Sequence, residues 1–309
     1  MKAHGVMFHH FHNENHIVEQ GSISDTQLAE IIKYYQQNYN LLNADEFYDR
    51  AINGRLKEDD TCITFDDALL CQYEVAEPVL KSMGLTAFWF VYTSPLMGTA
   101  ERLEVYRHFR HLCFDTVEEF YGAFDDVLQK NAKKLGVDIC EKLMNFNPKT
   151  YLMNSPFYSD ADRRFRFIRD KVLGEDRYNY IMDSMLEAYD YDVNKWKDKL
   201  WMSKENLKDL ADNGNIIGLH SHTHSTVLGT YSFEKQKMEY DQCKHILEGF
   251  LDEPIKTVSY PCNSYNEDTE IIMKQLGINM GFTANINDEH GALFVPREDH
   301  ANILRAIET

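Results

Sequence analysis

Three histidines fall within five residues of the stretch GLHSHTHS, at His220, His222 and His224, with only Ser221 and Thr223 between them. Imidazole at this density has the composition of a metal site, because each neutral ring offers a nitrogen lone pair to a divalent cation. His220 and His224 are four residues apart. If the chain turns helically after the preceding apolar run, they share a face, and His222 points away into a supporting or surface contact. A carboxylate would complete the set. The run TCITF ends in Asp66 and Asp67, and two adjacent carboxylates are costly to bury without a compensating charge. A divalent cation supplies that charge. Two imidazoles and one carboxylate leave coordination positions open for water or substrate. One aspartate then binds the cation while its neighbour takes a proton from the attacking water. One of the two can instead cap the helix that follows.

The elements around these residues alternate. MKAHGVMFHH reads as an opening strand. Ser24 with Gln27 forms a capping box ahead of a helix through Leu28, Ile31, Ile32 and Tyr35. Asn43 with Glu46 marks a second, short helix that stops near Gly54. TCITF is a strand, a helix through Val75, Val79 and Leu80 closes at Gly84, and TAFWFVY is the next strand. The rhythm returns at Trp201. Ser203 caps a helix, NIIGLH runs as a strand into the histidines, and KTVSY leads into PCNSYN. Asn266 caps a further helix, and the short strands MGFTAN and ALFVP close the chain. Strand–helix alternation of this kind predicts a parallel sheet or barrel. In such folds ligands meet the chain beyond the carboxyl ends of the strands, which is where Asp66, Asp67, His220, His224 and Cys262 fall. Residues 99–200 differ. They are rich in charge and aromatics and carry helical spacing, in DTVEEFYGAFDDVLQKNAKKLG, DADRRFRFIRDKVLG and DRYNYIMDSMLEAY. The expected organisation is one catalytic domain, with barrel halves at 1–98 and 201–309 and a helical insertion at 99–200.

Composition narrows the function classes. The 309 residues are 43 % apolar, enough for a sizeable core. With 32 Lys plus Arg against 50 Asp plus Glu, the net charge of −18 disfavours nucleic acid or an anionic membrane as partner. No apolar run approaches the roughly 18 residues of a membrane span, and the opening segment lacks the apolar core of a secretory signal. Six scattered cysteines without a C-x-x-C pair fit reduced thiols. The expectation is a soluble cytoplasmic protein. No G-x-S-x-G elbow and no Gly-rich phosphate loop is present.

TFDDA followed much later by HSHTH resembles the first two motifs of the polysaccharide deacetylases, carbohydrate esterase family 4. GLTAFWFV, LADNGNIIGLHSHTHS, VSYPCNSYN, FVPRED and VMFHH resemble the phrases around them. The likeness covers both flanks of the chain and leaves the helical middle aside. It implies a distorted (β/α) barrel, an α/β fold, that hydrolyses the N-acetyl amide of a sugar with the help of a metal. Asp66 would be the general base. Asp67, His220 and His224 would hold the ion, zinc or alternatively cobalt, nickel or manganese. The backbone N–H of Cys262 would help hold the tetrahedral oxyanion, and a histidine would protonate the leaving amine. The chain departs from the family in places. Ala68 stands where glycine is usual. Ser259 stands where many members carry an arginine that orients the base, and Arg297 of the last strand is the substitute. Cys262 and Asn263 replace an aromatic residue and glycine. His300 in REDHANIL is the first candidate for the acid, with His9 and His10 behind it. The expected substrate is an acetylated sugar carried on a cytoplasmic nucleotide- or lipid-linked glycan intermediate. Alternatives are deformylation or cyclic-amide hydrolysis at the same site, or an inactive relative that binds glycan or a protein partner.

Two further groups lie in the middle segment. Arg163, Arg164, Arg166 and Arg169 share a predicted helix and read first as a solvated face, second as a phosphate contact. Trp196, Trp201 and Tyr178, Tyr180, Tyr189 and Tyr191 read first as packing and second as sugar-stacking rings.

Overall fold

The computed structural model describes residues 2–153, 158–287 and 291–308. They form two compact units, Met1–Glu101 with Lys195–Thr309, and Arg102–Asn194.

The first unit is an eight-stranded sheet. Its strands are β1 (His4–Phe8), β2 (Asn40–Leu41), β3 (Asp60–Phe65), β4 (Phe88–Val91), β5 (Ile216–Leu219), β6 (Thr257–Ser259), β7 (Met280–Phe282) and β8 (Arg297–Asp299). The order is β7-β6-β5-β4-β3-β1-β8, with β2 pairing β3. Every pairing is parallel, as right-handed strand–helix crossovers require. The two edges nearly meet. Ahead of β8, Val295 N donates to Gly281 O at 2.9 Å and Thr283 N to Val295 O at 3.0 Å, while Gly5 N donates to Pro296 O at 3.0 Å. The sheet therefore curls into a distorted, nearly closed barrel, as expected. The last strand lies a few residues later than ALFVP predicts. Pro296 has no N–H to give a ladder, so the regular pairing with β1 begins at Arg297.

Alternation along the strands decides which side chains face the barrel interior. A Cβ on Gly5 would meet Thr64, Arg297 and Phe282, and one on Gly218 would meet the Phe90 ring and Thr257 Oγ1. The inward sets are thus Gly5 and Met7 of β1, Cys62 and Thr64 of β3, Gly218 of β5, Thr257 and Ser259 of β6, and Arg297. Phe88, Phe90 and Phe282 fill the space between them and pack with Cys62 and Phe47. On the other face Phe65 stacks on Phe8 at 5.5 Å and on Trp89 at 4.1 Å. One step past each strand end, the same parity sends Asp66 and His220 inward.

The helices form where capping chemistry allows. Ser24 and Gln27 make a reciprocal capping box at Asp25–Asn38, as do Ser203 and Asn206, and Asn266 and Thr269, at their helices. Asn43 precedes the helix Ala44–Ile52 without capping it through its side chain. Its Oδ1 accepts from Thr86 N instead, and Thr86 Oγ1 accepts from Ala44 N, so the helix start is tied to the segment entering β4.

The second unit is helical among its described residues. Val117–Leu135 is capped by Thr116 and ends at left-handed Gly136. Asp160–Phe167 runs into a wider turn at Ile168–Leu173, and Gly174–Ala188 follows. Its core is aromatic, with Phe120, Tyr121, Phe124, Phe165 and Tyr178 buried.

Gly218 is the tightest point of the barrel next to the histidines, with Phe90 and Thr257 each within 2.6 Å of a built Cβ. Gly218→Ala should destabilise the protein by about 1–3 kcal/mol, read as a lower urea midpoint at unchanged m-value.

Candidate metal centre

Asp67, His220 and His224 converge. Asp67 Oδ1 lies 3.2 Å from His224 Nε2 and 3.5 Å from His220 Nε2, and the three ligand atoms all lie within 4.8 Å of one another. The donor set fits a divalent cation on its own chemistry. His220 donates its Nδ1 proton to Ser259 O at 2.8 Å, which leaves the Nε2 lone pair facing the carboxylate. Burial pushes the His220 pKa down to about 3, so the ring stays neutral. A lone pair and an anionic oxygen at 3.5 Å repel each other unless a cation lies between them.

The histidines do not meet through a helical turn. Ser221 and His224 adopt left-handed backbone, at φ 64° and 56°, and the two rings come within 5.0 Å. Glu239, from the helix Phe233–Leu251, holds this shape. Its carboxylate accepts from His222 N at 3.1 Å, Thr223 N at 2.8 Å and Thr223 Oγ1 at 2.9 Å. Nothing in the local pattern of HSHTH names this partner, which lies on a later helix. His222 turns away as expected. Its Nδ1 bonds Thr93 Oγ1 at 2.9 Å and its Nε2 accepts from Gln242 at 3.0 Å. Tyr92 lies against His224, 4.9 Å between ring centres.

Asp66 stands beside this triad. Arg297 grips it with two bonds of 2.7 Å, Nη1 to Oδ1 and Nη2 to Oδ2. Ser259 Oγ donates to Asp66 Oδ2 at 3.1 Å and accepts from Arg297 Nη2 at 2.7 Å. Arg297 Nε donates to Thr283 O at 2.8 Å. The guanidinium is 1 % exposed, inside the barrel. Burial alone would raise the Asp66 pKa. The Arg297 charge and its hydrogen bonds outweigh it and hold the carboxyl well below the usual range. The guanidinium that the resemblance leads one to expect near Asp66 thus arrives from β8, and Ser259 adds its hydroxyl to both partners.

Asp67 reaches the same centre as its neighbour because its own φ is 79°, which turns a side chain that strict alternation would send outward. Ala68 follows at φ 51°, Cys262 at 50° and Asn263 at 57°. Six of the nine non-glycine residues with positive φ among the described residues therefore lie in the loops of this one site, where strain is held by the surrounding bonds. Glycine at position 68 would meet this φ without cost. Cys262 is exposed at the crest of the turn Pro261–Asn263.

The structure does not bring His300 into the cluster. Three residues after inward-facing Arg297, it lies on the opposite face of the sheet. Its ring stacks on Phe8 at 5.5 Å, and its nitrogens face the carbonyls of Met7 and Gly21 at 3.3 and 3.2 Å. His9 continues the inward parity of Gly5 and Met7. Its Nε2 lies 3.9 Å from Asp66 Oδ2, and its side chain is 30 % exposed. His10 turns instead toward Glu19, at 3.9 Å.

Residues 178–281 match the family model described as polysaccharide deacetylase, which bears out the resemblance read from the motifs. No curated protein matches the chain. Solved structures share the fold across its whole length. The Streptococcus pyogenes deacetylase PplD in complex with acetate is 17 % identical, with a TM-score of 0.56, covering 100 % of this chain and 99 % of that one. IcaB from Ammonifex degensii is 14 % identical, with a TM-score of 0.55 and coverage of 100 % and 97 %. The BpsB deacetylase domain from Bordetella bronchiseptica is 14 % identical, with a TM-score of 0.53 and coverage of 96 % and 94 %. At these identities the likeness is one of fold.

Two outcomes follow from the geometry. Glu239→Ala should weaken metal affinity by about 10–100-fold, measured by competition with a chromophoric chelator, whereas His222→Ala should leave metal content near that of the parent protein. Ala68→Gly should raise stability by about 1 kcal/mol, seen as a higher thermal midpoint; a lower midpoint would show that the left-handed conformation costs nothing there.

Proposed function

We propose that this chain is a metal-dependent hydrolase that removes the N-acetyl group from a sugar. The observation that carries this reading is an ionised base, Asp66 clamped by Arg297, set directly beside a triad of two imidazoles and a carboxylate. A carboxylate held that far below its usual pKa is ionised throughout the physiological range and accepts a proton only from a strongly acidified donor. A divalent cation on Asp67, His220 and His224, zinc or else cobalt, nickel or manganese, would acidify water and polarise an amide carbonyl.

The chain's own residues account for the remaining steps. Asp66 takes the proton as the water oxygen bonds to the carbonyl carbon. The Cys262 N–H supports the oxyanion that forms. His9 gives a proton to the sugar nitrogen as the C–N bond breaks, releasing acetate and the amine. His9 is the acid because it shares the inward face with Asp66 and is open to solvent, from which it can be reprotonated. Arg297 orients the base. The intact pairing of Asp66 disfavours the reading of an inactive relative, since a chain released from catalysis gains nothing from a buried, oriented base.

The six cysteines are all free, and among the described residues no helix is long and apolar enough to cross a membrane. The free thiols support a cytoplasmic setting, and with it an acetylated sugar on a nucleotide- or lipid-linked glycan intermediate. On this reading the whole chain is one deacetylase whose helical segment is an insertion.

Purified protein should carry about one divalent ion per chain, lost in both Asp67→Ala and His220→Ala, and should release acetate from N-acetylated sugars. A parent protein that takes up none of these ions would overturn the reading, and release of formate without acetate would replace it with a deformylase. Asp66→Asn should keep the metal and lose turnover by about a hundredfold or more. Arg297→Lys loses the two-pronged grip on Asp66. Burial then raises the carboxyl pKa, the base is ionised only at higher pH, and the acid limb of the kcat/KM profile should move upward.

A further inference from the structure

Gln72 is wholly buried. It opens the π-helical turn Gln72–Ala76, which runs on into the helix Glu77–Ser82. Turns of this kind recur at functional sites. The Gln72 side-chain nitrogen donates twice, to His9 O at 2.7 Å and to Asp66 O at 2.5 Å. The amide can face only this way round. Flipped, its oxygen would stand against two carbonyl oxygens with no proton between them. The cost of this orientation falls on Gln72 Oε1, which is buried with no hydrogen-bond donor among the described residues. A buried acceptor left unpaired is destabilising. An apolar side chain of the same length would fill the space without that cost, so the amide is explained by its two donations rather than by packing.

The two carbonyls stand at the ends of adjacent strands. β1 ends at Phe8 and β3 at Phe65, and Asp66 N still donates to Phe8 O at 3.2 Å. One step further both strands have ended. Asp67 and Ala68 turn into left-handed backbone, and Phe11 pairs with Ile23 instead. Gln72 ties the two chain ends together at this level, and Cys71 Sγ beside it accepts from Phe11 N at 3.4 Å. The Asp66 carbonyl also belongs to the peptide that joins Asp66 to Asp67. Holding it fixes the plane from which Asp67 takes its φ of 79°.

We propose that Gln72 is a positioning residue: its amide locks the His9 and Asp66 peptides together and so holds the proton donor and the proton acceptor of the reaction at one spacing. This role rests on the reading of Asp66 as base and His9 as acid. His9 Nε2 and Asp66 Oδ2 are 3.9 Å apart, and a misplacement of about 1 Å in such a pair is felt in turnover. Arg297 and Ser259 orient the Asp66 carboxylate. Gln72 sets the backbone from which both side chains start.

Gln72→Met keeps the length of the side chain and removes both donors. With an N-acetylglucosamine oligomer as probe and rates normalised to bound metal, kcat should fall about 10–100-fold. KM should stay near that of the parent, because the spacing of acid and base matters in the transition state and less in the bound substrate. The same substitution should cost less in a His9→Ala background, where the group it positions is gone. Tyr73→Phe, which breaks the bond to Asp209 Oδ2 from the same turn, should leave kcat unchanged. If Gln72→Met does not fold, Gln72→Asn takes its place, since its amide is one methylene too short to span both carbonyls. Hydrogen exchange in the metal-free protein reads the lock without turnover. The Asp66 and His12 amides, which donate to Phe8 O and Ile23 O, should exchange about tenfold faster or more in Gln72→Met, while the helix Phe233–Leu251 stays as it was. A parent protein that releases no acetate would count against the deacetylase reading, and the exchange rates alone then decide the role of Gln72. Unchanged exchange at Asp66 and His12, or equal losses of kcat with and without His9, would overturn it.

Discussion

The ion pair between Asp66 and Arg297 lies inside the barrel, and much of the first unit is arranged around it. A carboxylate buried inside the barrel, as Asp66 is, cannot remain ionised without a cation. Arg297 supplies one, and it sits on the strand that nearly closes the sheet. Placing the guanidinium against Asp66 therefore requires β8 to pair with β1 and the segment before it to reach β7. Barrel closure and the orientation of Asp66 are therefore coupled. The small side chains at Gly5 and Ser259 follow from the same constraint, since the arginine stem passes close to the first and its Nη2 bonds the second.

The candidate triad of Asp67, His220 and His224 depends on a second carboxylate, that of Glu239. A loop with left-handed residues at Ser221 and His224 leaves backbone N–H groups pointing off the sheet, and buried N–H groups need acceptors. Glu239 gathers those of His222 and Thr223. The Ser259 carbonyl fixes the tautomer of His220 from the other side. Ser259 thus touches Asp66 through its hydroxyl and His220 through its backbone, coupling the two halves of the site through one residue.

The three histidines near strand ends show how sheet parity sorts chemically equal candidates. His9, His10 and His300 all lie near strand ends. Strand side chains alternate, so residues an even number of steps from Gly5 share its inward face and those at odd steps do not. His9 reaches Asp66, His10 turns to Glu19, and His300, three steps from Arg297, packs on Phe8. Counting parity from the glycines that the interior demands would have ranked His9 first.

The sequence by itself determined the parallel strand–helix order, the capped helix starts at Ser24, Ser203 and Asn266, and the strand-end placement of Asp66, Asp67, His220 and His224. These features rest on local spacing and hydrogen bonds that span a few residues. The resemblance to the deacetylase motifs, rather than any spacing, pointed to Arg297 as the cation for Asp66. Only the tertiary structure decided that Arg297 faces Asp66, that Glu239 rather than a helical turn shapes the histidine loop, and that His9 rather than His300 stands beside Asp66. Each of those outcomes joins residues far apart in the chain, and each depends on which face of a curled sheet a side chain meets. A one-dimensional pattern carries the period of a strand but not the position of its neighbours, so it fixes which residues can do the chemistry and leaves their partners to the closed barrel.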